Sequence, residues 1–502
     1  MKKLFLLIVV HCLLNAMLYG NESTLAKPPN VIFFSVDDMD YATLNISGCP
    51  VNNLTPNIDK LAKEGIFFQR AHLNSAICQP SRQSLMTGLH SHKNETLGFV
   101  PVPRHIPNLS ELLMQSGWYT ASYNKGRDYE AFKWSRFVGG YGTQGFGRSA
   151  DLFLKDASAD MDKAISLKQP FLLNISTSDP HRVYAGSEDE KNELEKMKIK
   201  WPQAASKNNV FFPDFKEICT PSQAWVPPYL PNLPKVQEEW AQYYNTVHRA
   251  DETLGKLLEL LDQKGLRENT IVFFYSDNGA SFPTSKQNCY PYSTQTPLII
   301  RWPGVIKPGS VDSKNFVSTM DIMPTLLEMV GVELPTNLDG HSILPLLKGG
   351  DYEGREYIFT THNYITPGLQ VYPMRGLHKA KYSYIFNPWS DGLRVFDGEC
   401  HSGLSMKAIE SAALSDEKIR LRMLFIQKRV KEELYDTAKD PWCLNNLAED
   451  KKYAKTLLKL KELMLKEMDA TSDPLLPVLR DGAAIPPSWF VKDETSKKKK
   501  KS

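Results

Sequence analysis

The stretch NVIFFSVDD, Asn30 to Asp38, is apolar, β-branched or aromatic almost throughout and then stops on two adjacent carboxylates. It is too short for a helix and lacks the polar alternation of a half-exposed strand, so it reads as a strand buried on both faces. TIVFFYSDNG, Thr270 to Gly279, repeats the pattern and ends on Asp277 and Asn278. Two such strands, each closing on oxygen-bearing side chains, predict a sheet with its chemistry at one rim.

The segments around them supply the covering layers. TPNIDKLAKEG has Thr55 as N-cap, Pro56 at the first helical position and Gly65 as stop. NLSELLMQSG reads as a helix, WYTASY and FLLNIS as strands, and VQEEWAQYYNTVHRADETLGKLLELLDQKG as one long amphipathic helix leading into Thr270. This alternation predicts an α/β fold with a parallel or mostly parallel sheet between helices. From Glu188 to Pro234 the chain is proline-rich and weakly periodic, in the manner of a binding loop. After about Leu347, short strands (EYIFTTH, MRGLHKAKYSYIFN, ELYD) and the helix KKYAKTLLKLKELMLKEM predict a smaller C-terminal α+β subdomain. The expected divisions are 28–347 for the main domain, 348–470 for the smaller one and 485–502 for a basic tail.

With 502 residues, 42% of them hydrophobic, the chain can bury a large core. Lys plus Arg number 60 against 57 for Asp plus Glu, and a net charge of +3 gives no electrostatic case for a nucleic-acid partner. Residues 1–20 have the layout of a secretory signal peptide: two lysines, an apolar run from Leu4 to about Leu18, then small and polar residues. That run falls short of the roughly 20 residues of a spanning helix, so export without stable membrane insertion is predicted. Once Cys12 leaves with the leader, Cys49, Cys78, Cys219, Cys289, Cys400 and Cys443 remain. Without CxxC spacing they indicate neither a zinc site nor a dense disulfide framework. Sequons at Asn45 and Asn94 permit N-glycosylation in a eukaryotic host.

In open α/β sheets ligands bind beyond the carboxyl ends of the strands. If the two acid-ended strands are neighbours, Asp37, Asp38, Asp277 and Asn278 converge as hard oxygen donors suited to Ca2+ or Mg2+. Taken singly, each pair reads as an ordinary turn or cap. SAICQPSRQSLMTG, Ser75 to Gly88, places Cys78 at a helix N-terminus, with Pro80 in the first turn. Such a position favours an anion and a depressed thiol pKa, and Arg82 in that turn can fork onto an anionic oxygen. Lys125 closes WYTASYNK, His181 lies just past FLLNIS, and Lys286 follows the Asp-Asn-Gly turn. These cations around one nucleophile predict an electropositive pocket for a tetrahedral oxyanion such as sulfate or phosphate.

CQPSRQSLMTG, with VDD upstream and SDNG downstream, resembles the signature of the formylglycine-dependent sulfatases, members of the alkaline-phosphatase superfamily. DPHR, VPPYLPNLP, SDNGASFPTSK, YPMRGLHK and ELYDTAKDPWCLNNLAED are similar to the sulfamidase (heparan N-sulfatase) branch, and the likeness runs from about Pro28 to Asp450. The resemblance implies an alkaline-phosphatase-like mixed sheet. It also implies that a maturating enzyme oxidises Cys78 to formylglycine, whose hydrate attacks sulfur, and that one Ca2+ is held by Asp37, Asp38, Asp277, Asn278 and the residue at 78. It assigns Arg82 and Lys125 to the nucleophile, and His181 and Lys286 to the sulfate and leaving group, with His181 as proton donor. The family usually has Lys-x-His where this chain reads Lys125-Gly126-Arg127, and sulfamidases commonly carry arginine in place of Lys286.

The expected substrate is a sulfated oligosaccharide, foremost the N-sulfate of glucosamine in heparin or heparan sulfate fragments. The alternatives are an O-sulfatase for another glycan and a silent glycan-binding protein that keeps its thiol. A periplasmic or extracellular home fits a bacterial host and a lysosomal one an animal. Oligomeric state stays open, a homodimer among the alternatives.

Overall fold

Every residue of the strand Asn30–Val36 (β1) is buried, and its side chains divide between two cores. Ile32, Phe34 and Val36 pack on one face, Val31 and Phe33 on the other. The same alternation recurs in Phe171–Ser176 (β6) and Thr270–Ser276 (β7), which explains the continuous apolar runs. A computed structural model describes residues 28–138, 147–200 and 212–491. The predicted leader, the lysine run and residues 201–211 of the Glu188–Pro234 stretch lie outside the described residues.

Eight strands form the main sheet. In spatial order they are Arg136–Val138 (β5), Tyr119–Tyr123 (β4), β6, β1, β7, Leu298–Arg301 (β8), Ile66–Phe68 (β2) and Ser310–Asp312 (β9). All are parallel except β8, which is antiparallel to both of its neighbours. The sheet is therefore mixed and mostly parallel, as expected. Helices Pro56–Glu64, Ala150–Ser166 and Pro234–Gln263 contribute to the core on one face, and Cys78–Thr87, Leu109–Gln115 and Ile322–Val330 to the core on the other. No described helix is long and apolar enough to cross a membrane.

Four antiparallel strands, Ile358–His362 (β11), Met374–His378 (β12), Tyr382–Phe386 (β13) and Glu432–Asp436 (β14), form the second sheet in that order. Helix Ala454–Ala470 packs on it through Leu460, Met464 and Met468. The chain stays packed as far as Trp489, whose ring meets Tyr364 edge-on, so residues 485–489 belong to the folded subdomain and not to a basic tail. Between β13 and β14, helices Leu404–Ala412 and Glu417–Lys428 reach back into the main core through Met406, Ile409 and Ile426. Glu239, on the long helix, accepts from the N–H groups of Leu404 (3.0 Å) and Ser405 (2.7 Å), capping one of them.

Three expectations are corrected. Glu188–Lys200 is a helix, held by the exposed pairs Glu188–Lys191 and Glu195–Lys198 and not by an apolar face. Thr55 precedes its helix, but its hydroxyl donates to Asp59 and receives the Asn45 N–H, so it does not cap. Asn94 is fully buried, and the Asn45 side chain bonds Val51 O and the Leu54 and Thr55 amides, so neither sequon is presented for glycosylation. The six cysteines among the described residues are all free and buried.

Burial holds His72, His90, His362 and His401 neutral, each pushed down to about 3 from an ordinary 6.5. Below about pH 6.5 the unfolded chain takes up protons that the folded chain refuses, so stability is lost as pH falls toward 3. Each such histidine removes about 2 kcal/mol between pH 6.5 and 5. Asp40 and Asp251, pushed up to about 6 by burial, oppose this, as do Asp277, raised to about 7, and His181, raised to about 10, but His92, His341 and His378 are lowered as well, so the loss prevails. The melting temperature is therefore expected to fall by a few degrees from pH 7 to 5 in scanning calorimetry. A flat profile would refute the neutral histidine core.

Candidate active site

β4, β6, β1 and β7 lie side by side and run the same way, so the residues just past their carboxyl ends share one edge. Lys125 follows β4, His181 follows β6, Asp37 and Asp38 follow β1, and Asp277 and Asn278 follow β7. The register that pairs Val36 with Ser276 sets Asp37 beside Asp277, and the Asp38 N–H donates to Asp277 Oδ1 at 3.1 Å. Helix Cys78–Thr87 begins against this edge, with Cys78 Sγ 3.6 Å from Asp37 Oδ1. Gly88 ends that helix at φ 66°, a left-handed conformation that glycine adopts without strain. All nine predicted residues thus converge: Asp37, Asp38, Cys78, Arg82, Lys125, His181, Asp277, Asn278 and Lys286.

Each acid meets a cation. Lys125 pairs with Asp37, and Lys286 Nζ lies 2.8 and 2.9 Å from the two oxygens of Asp38. Arg82 is wholly buried, and its Nε and Nη2 reach Asp277 Oδ2 at 2.9 and 2.8 Å. Its Nη1 donates to Ser35, Ser176 and Tyr129. The Arg82 fork therefore closes on a carboxylate of the protein itself. Asp128, absent from the sequence reading, stands 3.3 Å from Arg82 Nε. It sits in the short helix Gly126–Tyr129, where Arg127 faces solvent.

Glu399 was also missed. It lies in a loop between β13 and β14, with Oε1 3.0 Å from His181 Nε2 and Oε2 3.0 Å from Lys286 Nζ. No motif marks it, and 113 residues separate it from Lys286 (399 minus 286). Both ring nitrogens of His181 face acceptors, since Nδ1 is 2.6 Å from Arg182 O. That arrangement calls for the doubly protonated ring. Burial pulls His181 down, but Asp38 and Glu399 outweigh it and carry its pKa up to about 10.

The other titrations share one cause, burial among opposed charges. Burial raises Asp37, but Lys125, His181, Arg82 and Lys286 hold it well below the usual carboxylate range. Burial, then Asp37 and Asp38, push Asp277 up to about 7 against the pull of Arg82. Burial, with Asp37 and Asp277, lifts the Cys78 thiol well above its ordinary value despite Lys286 and Lys125. The depressed thiol pKa expected of a helix N-terminus is thus reversed, because desolvation and two carboxylates outweigh the dipole.

Asn278 Oδ1 is buried without a hydrogen-bond partner, and Asp37, Asp38 and Cys78 offer ligand atoms within 4.8 Å of one another. Five carboxylates, Asp37, Asp38, Asp128, Asp277 and Glu399, face four cations, Arg82, Lys125, His181 and Lys286. A hard divalent cation would satisfy the orphaned oxygen and relieve the surplus that raises Asp277, so the residues present fit such an ion.

Residues 29–332, which contain the acid pairs and Cys78, match the sulfatase family, and the chain belongs to it. Residues 284–397 match the C-terminal region of N-sulphoglucosamine sulphohydrolase. Over 469 residues the chain is 28% identical to an ulvan-active sulfatase of Formosa agariphila, covering 90% of this chain and 82% of that one. Over 480 residues it is 26% identical to the human N-sulphoglucosamine sulphohydrolase, covering 89% and 91%. A protein solved with its substrate D-glucosamine-2-N,6-O-disulfate shares the fold at a TM-score of 0.65 and 21% identity, over 89% of this chain and 99% of that one. A 2-O glycosaminoglycan sulfatase does so at 0.63 and 18%, over 93% and 98%. The chain is therefore a sulfatase, a hydrolase of sulfate esters or sulfamates.

Replacing Arg82 by Met leaves Asp277 and Asp128 buried without their cation. The variant is expected to lose about 3 kcal/mol or more in urea denaturation. A loss below about 1 kcal/mol would show that the pair is not a structural anchor.

Proposed function

We propose that the chain is an exo-acting N-sulfatase, removing the N-sulfate of glucosamine from heparin or heparan sulfate fragments, with formylglycine at position 78 and one bound Ca2+. The observation that carries the reading is the state of Cys78. Its thiol sits at the centre of the site yet is buried and held protonated, so it is a poor nucleophile as it stands. Conversion to an aldehyde hydrate supplies oxygens in place of that thiol. Because Cys78 is buried, a maturating enzyme has to reach it before folding is complete.

When bound, the cation neutralises charge on the sulfate and the attacking oxygen. Asp37, Asp38, Asp277 and Asn278 would hold it, with the oxygen at 78. Lys125 and Lys286 orient anionic oxygens at the rim, and Arg82 fixes Asp277 from behind. His181 carries a proton on Nε2, facing the pocket, and gives it to the departing atom. Preference for N-sulfate is supported by the C-terminal match and by the human relative's name. The ulvan-active relative favours a second reading, an O-sulfatase for another glycan. The reading places the enzyme in the secretory route, its leader removed near Gly20.

Mass spectrometry of the peptide carrying position 78, from the native host, is expected to show formylglycine; an intact thiol there would defeat the mechanism. Free sulfate is expected from N-sulfoglucosamine in preference to 6-O-sulfated N-acetylglucosamine, and activity confined to the O-sulfate would transfer the assignment to the second reading. Asp277→Asn is expected to weaken Ca2+ binding in calorimetry at least ten-fold and to abolish turnover. Full turnover in excess chelator would remove the metal from the scheme.

A further inference from the structure

The smaller subdomain places one acid in front of the cations that would face sulfate. The Glu399 side chain is 35% exposed, whereas those of Lys286 and Asp38 are fully buried, so Glu399 lies on the solvent side of this cluster. Its position is built. The Glu399 N–H donates to Gln287 Oε1 at 2.9 Å, and the Gln287 N–H donates to Ala76 O at 2.8 Å. A Cβ on Gly398 would lie 2.4 Å from Gln287 Oε1, so a larger residue there would displace the amide that holds the loop. The loop is thereby tied both to the turn carrying Lys286 and to the segment leading into Cys78.

A carboxylate beside sulfate-binding cations opposes anion binding. Its retention there needs a gain on the leaving-group side. We propose that Glu399 is a specificity-determining residue that selects a leaving nitrogen over a leaving oxygen, a step that rests on the N-sulfatase reading above. When the S–N bond breaks, its electron pair stays on nitrogen and the sulfuryl group passes to the nucleophile at 78. The nitrogen takes one proton from His181 Nε2, giving the amine, and a second from solvent, which has received the proton released by the attacking hydroxyl, giving the ammonium; His181 recovers its proton from solvent. Glu399 accepts a charge-assisted hydrogen bond from this nitrogen as positive charge develops. A sugar hydroxyl released from a sulfate ester ends neutral and gains nothing comparable.

The test compares the full-length, matured protein with Glu399→Gln and Glu399→Asp on N-sulfoglucosamine and on 6-O-sulfated N-acetylglucosamine. In Glu399→Gln, kcat/KM is expected to fall on both substrates, because His181 and Lys286 lose their shared partner. The fall should be about thirty-fold greater on the sulfamate, the size of one hydrogen bond to a charged group. The excess should appear in kcat, not KM, and Glu399→Asp should recover part of it. Equal losses on the two substrates, in a variant whose melting temperature matches the parent, would overturn the inference while leaving the N-sulfatase reading intact. A parent protein inactive on the sulfamate but active on the ester would overturn both.

Discussion

The parallel pairing of β1 with β7 is the constraint from which the site follows. Both strands are buried on two faces, so their register is fixed by which side chains enter which core. A slip of one residue would exchange Phe33 with Phe34 between the cores and carry Asp37 away from Asp277. The same register on the other side of β1 sets Ser35 beside Ser176, where the two hydroxyls meet at 2.9 Å and receive Arg82. Apolar packing thus positions the polar groups of the site.

A cluster of buried charges of this density is costly, since each ion leaves water. It is tolerated because nearly every charge faces an opposite one at hydrogen-bond distance. Asp277, buried beside Asp37 and Asp38, is nevertheless raised toward neutrality. The proposed cation would neutralise that concentration of buried oxygens.

Most of the architecture was legible because burial imposes periodicity. FLLNIS and TIVFFYS became strands, and the acids at the strand ends pointed to the rim, since parallel strands share a carboxyl edge. What escaped lacks such a signal. Helix Glu188–Lys200 faces water almost all round and is patterned in charge. Asp128 is one acid in a four-residue helix, and Glu399 is a loop residue whose partners are brought to it only by the tertiary fold. The Cys78 thiol was misjudged because the helix N-terminus is local and visible in sequence, whereas the two carboxylates opposing it arrive from strands far along the chain.

The last contribution to the pocket comes late in the order of synthesis. Asp37, Cys78, Lys125 and His181 emerge first, Asp277 and Lys286 follow, and Glu399 comes last. A chain translated past β9 but short of Glu399 holds every strand of the main sheet while its two frontal cations lack this carboxylate. Competence at this centre is thus a property of the finished polypeptide, timed by translation of its C-terminal half.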